Sequence, residues 1–583
     1  MLQRWQDAWP QALEVWSKYT RLSHPHLCAS RVEAEEQGLT GSFAMIRLLD
    51  QRVVVDLAAV EELGLGDHAV EILAHEIGHH VLVPGSVTEQ FRLLARIRKA
   101  LPTLEQQAPM VANLYADLII NDRLQRQSGL RLADVYRALA ARADAKMPPG
   151  EVWNLYLRIY ENLWKLEVGS LGGQRGDERS EGDAWLGARL VRVYASDWLA
   201  GAGRFATLLL HYLVEDAKKQ ASDPIRHLLD MTGAAAGSEP FGGAEIEADE
   251  AEGAIHPAAD SRITGQDEEQ DGTIAEPDGA VQPSRGQARE PFEYGEILRG
   301  AGIQLDDHEI AVRYYRERAL PFLVPFPQRT VPDRPEPQLE GLEPWDTGDP
   351  LDEIDWLQTV VQSPRVIPGL TTVRRQYGQE QGHTQERRPV DLDLYVDSSG
   401  SMPNPQRQMS YLSLAGAVIA LSALRAGSLV QVTLWSGKNQ YMHTGGFIRE
   451  EAKILHVLTG FYGGATAFPI HRLRETHCGP AKRERPAHIL MISDDGITTM
   501  FDRDERGNDG WELSAKALAA AGAGGTMALN ISPNWDSTQT GWNASSYTAL
   551  QRARREQGWE IFAISQLEDL MDFARAFSSR HYA

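Results

Sequence analysis

The sequence LAHEIGHHVL at residues 73–82 contains His75 and His79, four positions apart. On a helix, residues at this spacing lie on the same face, so both imidazoles can hold one metal ion. The neighbouring apolar residues favour a helix that buries its opposite face, and Pro84-Gly85 predicts where this helix ends. These apolar residues are Val70, Leu73, Ala74, Ile77 and Val81. The stretch therefore predicts a helix that carries a metal site.

Glu76 follows the first histidine and completes the pattern His-Glu-x-x-His. In this pattern a zinc ion held by the two histidines lowers the pKa of a bound water, and the glutamate accepts the proton of that water. The chemistry indicated is the hydrolysis of a peptide bond. The alternative is a chance match, because the chain contains 17 histidines.

Two histidines need a third protein ligand, and the sequence ANLYADLIINDRL offers one. Asn113, Asp117 and Asn121 are spaced by four and form one polar stripe on a helix whose other residues are largely apolar. We expect this stripe to be enclosed, with Asp117 as the third zinc ligand and Asn113 or Asn121 hydrogen-bonded to the ligands. The alternative is an exposed polar face, and Asp122 and Glu89 are alternative ligands.

A β-hairpin is predicted directly before the His-Glu-x-x-His helix. Residues 42–49 and 52–57 are apolar and β-branched, and Asp50-Gln51 separates them. An exposed strand edge beside the metal can pair with an extended peptide substrate, whereas the alternative is a purely structural hairpin. Tyr115 is the only candidate for a donor to an oxyanion.

Length and composition restrict the class of protein. The 583 residues are too many for one hydrophobic core, so we expect several domains. The net charge of −23 argues against nucleic acid or an anionic membrane as a partner. The two cysteines match no thiolate metal pattern and fit a reducing cytoplasm. No apolar signal segment is apparent, so we expect a cytoplasmic protein.

Composition divides the chain into four regions. Residues 1–230 are mainly helical in pattern, with a core at about 42–165. Residues 231–290 are acidic and poor in large apolar side chains, which predicts a disordered linker. Residues 291–388 form a connecting region to which we assign no role. Residues 389–583 alternate apolar strands with helices, which predicts an α/β, doubly wound and mostly parallel sheet.

A second group of polar residues follows the first predicted strand of this sheet. The run DSSGS at residues 397–401 places one carboxylate and two hydroxyls in one loop, at the edge where open α/β sheets bind ligands. Such oxygen ligands suit Mg²⁺. Thr466 lies in a later glycine-rich loop, and Asp494 and Asp495 follow a later strand. Counting from that strand favours Asp494 over its neighbour.

This combination resembles the metal-ion-dependent adhesion site of a von Willebrand factor A domain, over residues 390–583. The resemblance implies an Mg²⁺ ion whose open position binds an acidic side chain of a partner protein. Members of that family have Ser/Thr-Asp-Gly at the last ligand, whereas this chain has Ser-Asp-Asp-Gly at residues 493–496. The implied Mg²⁺ ligands are Asp397, Ser399, Ser401, Thr466 and Asp494.

The His-Glu-x-x-His helix followed by Asn-x-x-x-Asp-x-x-Ile-Asn is similar to bacterial predicted metallopeptidases that carry a C-terminal von Willebrand A domain. The match covers residues 42–127 and the C-terminal domain. It implies a mainly α, zincin-like N-terminal domain with a small β-sheet, joined to a Rossmann-like A domain. It also implies a MoxR-type AAA+ ATPase as partner, because relatives with a C-terminal A domain are typically encoded with one. We do not expect this chain to be an ATPase itself, since it has no GxxxxGK[ST] run.

Two functions follow from these patterns. The first is a zinc metalloendopeptidase with a Mg²⁺-dependent protein-binding domain, working with a MoxR-type ATPase. The alternative is a non-proteolytic adaptor of such an ATPase, similar to the A-domain subunits of the cobalt and magnesium chelatases, with a structural or vestigial zinc site. The presence of Glu76 favours the peptidase, because a site that has lost its catalytic activity does not need the glutamate. A purely adhesive extracellular protein is disfavoured, since we find no signal peptide.

Overall fold

The computed structural model of the chain separates into two units. One comprises Met1–Arg318 with Asn404–Met409, and the other comprises Ala319–Pro403 with Ser410–Ala583. The structure describes residues 1–579 except 18, 143–149, 220–228, 232–233, 239–241, 248, 266–286, 331–334, 382–386, 480–484 and 538–543. Among the described residues, no helix is both long enough and apolar enough to cross a membrane. The protein is multidomain, as its length predicts.

The first unit is mainly helical, with one small sheet. Its elements are α1 (Leu2–Trp16), β1 (His26–Cys28), α2 (Arg31–Glu36), β2 (Ala44–Arg47), β3 (Arg52–Asp56), α3 (Leu57–Glu62), α4 (Ala69–Val81), α5 (Val87–Ala100), α6 (Ala108–Gln127), α7 (Leu132–Ala141), α8 (Glu151–Trp164), α9 (Glu178–Val193), α10 (Trp198–Lys219), α11 (Ser261–Thr264), α12 (Pro291–Gly300) and α13 (Asp307–Ala319).

Helix α4, which carries the His-Glu-x-x-His pattern, is buried on nearly all sides rather than on one face. Ala74 and Ile77 are buried as the apolar pattern predicts, and Glu76 and His79 are buried as well. The reason is that α4 packs against α1, α6 and β2 at once. The Trp16 indole of α1 donates a hydrogen bond of 2.7 Å to the carbonyl of Ala74. The histidines therefore face an interior and not an open surface.

The small sheet has the order β1-β3-β2. β2 and β3 are antiparallel and form the hairpin that the sequence predicts, with Gln51 in the left-handed region at φ 55° in the turn. β1 pairs in parallel with β3, and the sequence analysis missed it because it has only three residues. β2 is an edge strand and packs against α4. An edge strand thus lies beside the helix of the candidate site.

Residues 231–265 contain packed segments, although their composition predicts a disordered linker. Ala244 and Ile263 are fully buried, and α11 is helical. The prediction rested on the scarcity of large apolar side chains and missed ion pairs between acidic residues of this stretch and arginines. The pairs are Glu247 with Arg96, Glu250 with Arg289 and Asp260 with Arg204. For residues 266–286, which lie outside the described residues, the linker stays a prediction.

The second unit contains two antiparallel two-stranded sheets and a six-stranded sheet. Its elements are β4 (Gln328–Thr330), β5 (Pro335–Pro344), α14 (Trp356–Gln362), β6 (Val373–Gln381), β7 (Arg387–Pro389), β8 (Asp391–Asp397), α15 (Tyr411–Ala426), β9 (Val430–Trp435), β10 (Tyr441–His443), α16 (Glu451–Leu458), α17 (Ile470–His477), β11 (Ala487–Ser493), α18 (Gly510–Ala521), β12 (Gly522–Leu529), α19 (Ala544–Arg552), β13 (Glu560–Ala563) and α20 (Leu567–Ser578). The two-stranded sheets pair β4 with β7 and β5 with β6.

The six-stranded sheet has the order β10-β9-β8-β11-β12-β13. All neighbours in it are parallel except β10, which is antiparallel to β9. β8, β9 and β11 are buried along their whole length, which explains their continuous apolar sequence. The chain passes from β8 to β9 on one side and later returns to β11 on the other. Ligand crevices of α/β sheets lie at such a reversal, outside the carboxyl ends of the strands.

Gly78 of α4 sets how closely this helix approaches its neighbours. A methyl group there would lie 2.5 Å from Ile120 Cγ2 of α6 and 2.8 Å from Trp16 Cζ2 of α1. We expect Gly78→Ala to lower the free energy of unfolding by about 1–3 kcal/mol. The contacting atoms belong to a branched and to an aromatic side chain, which cannot easily move away from the added methyl group. Denaturant unfolding followed by circular dichroism measures the change.

Gly182→Ala is the matched control for this substitution. Gly182 lies in α9, and a methyl group there meets no atom within 4 Å. Alanine has the higher helix propensity, so this variant should be more stable by up to about 1 kcal/mol. Equal stability of the two alanine variants would contradict the tight packing of α4.

Candidate metal centre

Four side chains of the first unit bring potential ligand atoms together. His75 and His79 come from α4, Asp117 comes from α6, and Asp230 comes from a turn, with all four ligand atoms within 4.8 Å of one another. His75 Nε2 lies 2.9 Å from Asp230 Oδ2 and 3.6 Å from Asp117 Oδ1. His79 Nε2 lies 3.4 Å from Asp230 Oδ1 and 3.5 Å from Asp117 Oδ1. Two imidazoles and two carboxylates form a cluster that can bind a metal ion.

The hydrogen bonds of the two imidazoles orient their Nε2 atoms toward the cluster. His79 Nδ1 lies 2.9 Å from the carbonyl of Val83, which can only accept, so Nδ1 carries the proton. His75 Nδ1 lies 2.7 Å from Asn121 Oδ1. The amide nitrogen of Asn121 donates to the hydroxyls of Tyr136 and Tyr160, which directs its oxygen to the histidine. In the neutral imidazoles each Nε2 therefore keeps a lone pair for a metal ion.

Asn113 connects the two carboxylates. Its amide nitrogen donates to Asp117 Oδ2 over 3.1 Å, which leaves Oδ1 of that carboxylate directed at the histidines. Its amide oxygen accepts the backbone N–H of Met231, the residue after Asp230, over 3.0 Å. One asparagine on α6 thus holds Asp117 directly and Asp230 through the backbone.

Several buried polar atoms of this region have no hydrogen-bond partner among the described residues. They are Glu76 Oε2, His79 Nε2, Asp117 Oδ1 and Asp230 Oδ1. A buried polar atom without a partner costs about 1–3 kcal/mol. Glu76 is only 1% exposed, and Asp117 is 2% exposed. A cation in the cluster would compensate His79 Nε2, Asp117 Oδ1 and Asp230 Oδ1, since each offers a lone pair.

The pKa values show how strongly these charges interact. Burial raises the pKa of Glu76 to about 8, and Asp230 adds to this rise. Burial likewise raises the pKa of Asp117 to about 6. For His75, burial opposes the charge, but Asp230 and Asp117 raise its pKa to about 9. Burial also opposes the charge of Asp230, yet His79 and His75 hold its pKa below the usual range. Protons on the imidazoles thus neutralise the carboxylates when no cation lies among them.

The structure brings together the residues that the sequence singles out, and it adds one. His75, His79 and Asp117 meet, and Asn113 and Asn121 contact them in the enclosed arrangement. The sequence gives no indication that Asp230 is a potential metal ligand, because this residue belongs to no helix or strand and matches no motif. Only the three-dimensional structure places it beside residues more than 100 positions earlier.

The other candidates of the sequence analysis have structural roles. Asp122 accepts hydrogen bonds from Arg126. Glu89 lies in the first turn of α5, where its N–H binds the capping hydroxyl of Ser86. The Tyr115 hydroxyl donates to the carbonyl of Trp198 over 2.9 Å, so it is engaged there and not at the cluster.

In the second unit, the loop after β8 meets the loop after β11. Ser399 Oγ and Ser401 Oγ lie 3.1 Å apart, and Ser401 Oγ donates to Asp494 Oδ2 over 2.5 Å. Asp397 Oδ1 accepts the N–H of Ser399 over 2.8 Å, and its Oδ2 accepts the hydroxyl of Ser493 over 2.6 Å. Because β8 and β11 are adjacent and parallel, their carboxyl ends bring these oxygens together.

Thr466 and Asp494 lie on either side of Gly496. A methyl group at that glycine would come 2.6 Å from Thr466 Cγ2 and 2.8 Å from Asp494 Oδ1, so the glycine-rich loop also reaches this edge. Burial raises the pKa of Asp397 to about 6, and Asp494 adds to the rise against the hydrogen bonds that lower it. Carboxylate and hydroxyl oxygens in this arrangement suit a hard cation.

None of the family models, curated proteins or solved structures compared with this chain matches it.

Proposed function

We propose that this chain is a zinc-dependent metallopeptidase with a second, Mg²⁺-dependent protein-binding unit. The observation that supports the proposal best is the enclosed group of His75, His79 and Asp117 with Glu76 beside it. In its neutral form each histidine has its Nε2 lone pair on the side of the group, and Glu76 Oε2 has no hydrogen-bond partner among the described residues.

The donor set fits zinc, because Zn²⁺ is bound by imidazole nitrogens and carboxylate oxygens. A zinc ion held by His75, His79 and Asp117 would supply Lewis acidity toward a water molecule and a peptide carbonyl. Glu76 would accept a proton from the water and pass it to the leaving amine. The raised pKa of Glu76, about 8 with no ion among the ligands, reflects a buried carboxyl that can hold a proton. His75 and His79 are kept in one orientation by Asn121 and by the Val83 carbonyl.

The second unit is proposed to bind a partner protein through Mg²⁺. Asp397, Ser399, Ser401 and Asp494 would hold the ion with Thr466 nearby, and an acidic side chain of the partner would complete its coordination. The resemblance to peptidases with von Willebrand A domains makes a MoxR-type AAA+ ATPase the proposed partner. We further propose that the chain acts in the cytoplasm.

A second candidate function is a non-proteolytic adaptor of an AAA+ ATPase. The observation that favours it is the number of protein groups at the cluster. Catalytic zinc sites use three protein ligands and keep one position open, whereas structural sites are closed by four. His75, His79, Asp117 and Asp230 make four. A closed zinc site would stabilise the fold and perform no chemistry.

The first test concerns the metal. The purified chain should contain one zinc ion, and Asp117→Asn should lower the zinc affinity by at least about tenfold, because a neutral amide replaces a charged ligand. Asp122→Asn is the matched control, since Asp122 lies on the same helix, is also buried and is bound to Arg126 instead. Chelator competition measures the affinities. Equal affinities of the two variants would contradict the assignment of Asp117.

The second test concerns catalysis. Glu76→Gln should keep its zinc and lose about 10²–10⁴-fold in the rate of casein cleavage, because the general base is removed. Cleavage is measured with and without a MoxR-type ATPase, and residues 231–290 of the chain serve as a second substrate. If the wild type and Glu76→Gln behave alike under every condition, the peptidase proposal is wrong and the adaptor is favoured.

The third test concerns the second unit. Mg²⁺ should raise the thermal unfolding midpoint of the wild type, and Asp494→Ala should abolish this rise because it removes an oxygen ligand. Asp495→Ala is the neighbouring control and should keep the response. Asp397→Ala should also lose it while its zinc content stays unchanged. Loss of zinc in Asp397→Ala would contradict two independent metal sites.

A further inference from the structure

Asp230 differs from the other members of the cluster in its place in the chain. His75, His79 and Asp117 lie on the long helices α4 and α6, which pack against each other. Asp230 lies in a turn, outside the helices and strands. Its backbone is therefore not part of the helices that carry the other three.

Asp230 also differs in how its side chain is held. His75 is fixed by Asn121, His79 by the Val83 carbonyl, and Asp117 by Asn113. Among the described residues, the carboxylate of Asp230 contacts His75 and His79, which are themselves ligands. Groups outside the cluster thus hold the side chains of three ligands, whereas Asn113 holds Asp230 only through the backbone of Met231.

The carboxylate of Asp230 lies at the fourth coordination position of the metal, which a peptidase needs to keep open for water or substrate. With three protein ligands, a zinc site has room for water or for the substrate carbonyl. Asp230 directs its two oxygens at the two histidines, 2.9 Å from His75 Nε2 and 3.4 Å from His79 Nε2. Glu76 is 1% exposed in the same arrangement. Glu76 and the ligands His79, Asp117 and Asp230 are thus all buried in this arrangement.

One hydrogen bond joins the residues after Asp230 to the end of the edge strand that a peptide would use. The N–H of Leu48, directly after edge strand β2, donates to the carbonyl of Ala234 over 2.8 Å. The N–H of Met231 donates to Asn113. Met231, Ala234 and Ala235 are all buried. An extended substrate beside β2 would compete for the Leu48 N–H, because peptides bind edge strands through such backbone groups.

We propose that Asp230, Met231, Ala234 and Ala235 form a built-in inhibitory segment that occupies the fourth metal position and engages the N–H group at the end of edge strand β2. The inference rests on the proposed peptidase function. The segment competes with the substrate for the site within the same chain, and a peptide binds only when Asp230 leaves the metal. The four-ligand arrangement is then the resting form of a three-ligand catalytic site, and it is not a structural zinc site.

The test uses the full chain loaded with zinc and a small metal-binding probe, acetohydroxamate. Asp230→Ala should keep one zinc ion and bind the probe at least about tenfold more tightly than the wild type, because an internal competitor is removed. The readout is the absorption spectrum of the Co²⁺-substituted chain titrated with the probe. Glu252→Ala is the control, since Glu252 is an exposed acidic residue of the same region and lies outside the cluster.

A second variant leaves every ligand in place. Met231→Pro removes the N–H that Asn113 accepts, so it weakens the anchor of Asp230 without changing a metal ligand. It should also bind acetohydroxamate more tightly than the wild type. Equal probe binding by the wild type and both variants would overturn the proposal. Loss of zinc from Asp230→Ala would overturn it as well, since Asp230 would then be a structural ligand.

The outcomes separate this inference from the proposed function. Tighter probe binding by Asp230→Ala and Met231→Pro supports the inhibitory segment even if no variant cleaves casein, and missing cleavage then counts against the peptidase alone. A wild type that binds neither zinc nor cobalt overturns the metal site and the inference together. Faster casein cleavage by Asp230→Ala than by Glu252→Ala supports both.

Discussion

The close packing of α4 on α6 is the contact on which the candidate metal centre depends. Gly78 lets the two helices approach, since a methyl group there would overlap Ile120. Across this contact, His75 binds Asn121, and both histidines come within 3.6 Å of the Asp117 carboxylate. The hydrogen bond orients the imidazole, and the packing fixes the separation of the ligands. A shift of either helix would change both at once.

Burial of charge is the second constraint on this site. Glu76, Asp117 and Asp230 are three carboxyl groups within one enclosed region that also holds two imidazoles. Burying carboxylates is unfavourable unless they are paired or neutralised. The raised pKa values of Glu76 and His75 show that protons perform this neutralisation when no cation does. A divalent ion would replace these protons, so metal binding and proton release are coupled at this site.

The two units position their potential metal-ligating side chains on different structural elements. In the first unit, long helices supply imidazoles and a carboxylate to an enclosed space, and this donor set suits zinc. In the second unit, loops at the carboxyl ends of β8 and β11 supply carboxylate and hydroxyl oxygens. The rigid helices allow one ligand, Asp230, to come from an irregular segment, because the other three do not need it for their orientation. This asymmetry is the basis of the proposed inhibitory segment.

Local sequence indicated the helical character of residues 1–230, the β2–β3 hairpin and the alternation of strands and helices in residues 389–583, because periodicity and turn residues depend on near neighbours. It also indicated His75, Glu76, His79 and Asp117, since residues spaced by four share one face of a helix. Only the tertiary structure decided that α4 is buried on nearly all sides, that acidic residues of the expected linker pair with arginines, and that Asp230 joins the cluster. These features depend on contacts between residues far apart in the chain, and such contacts leave no periodic pattern in a single sequence.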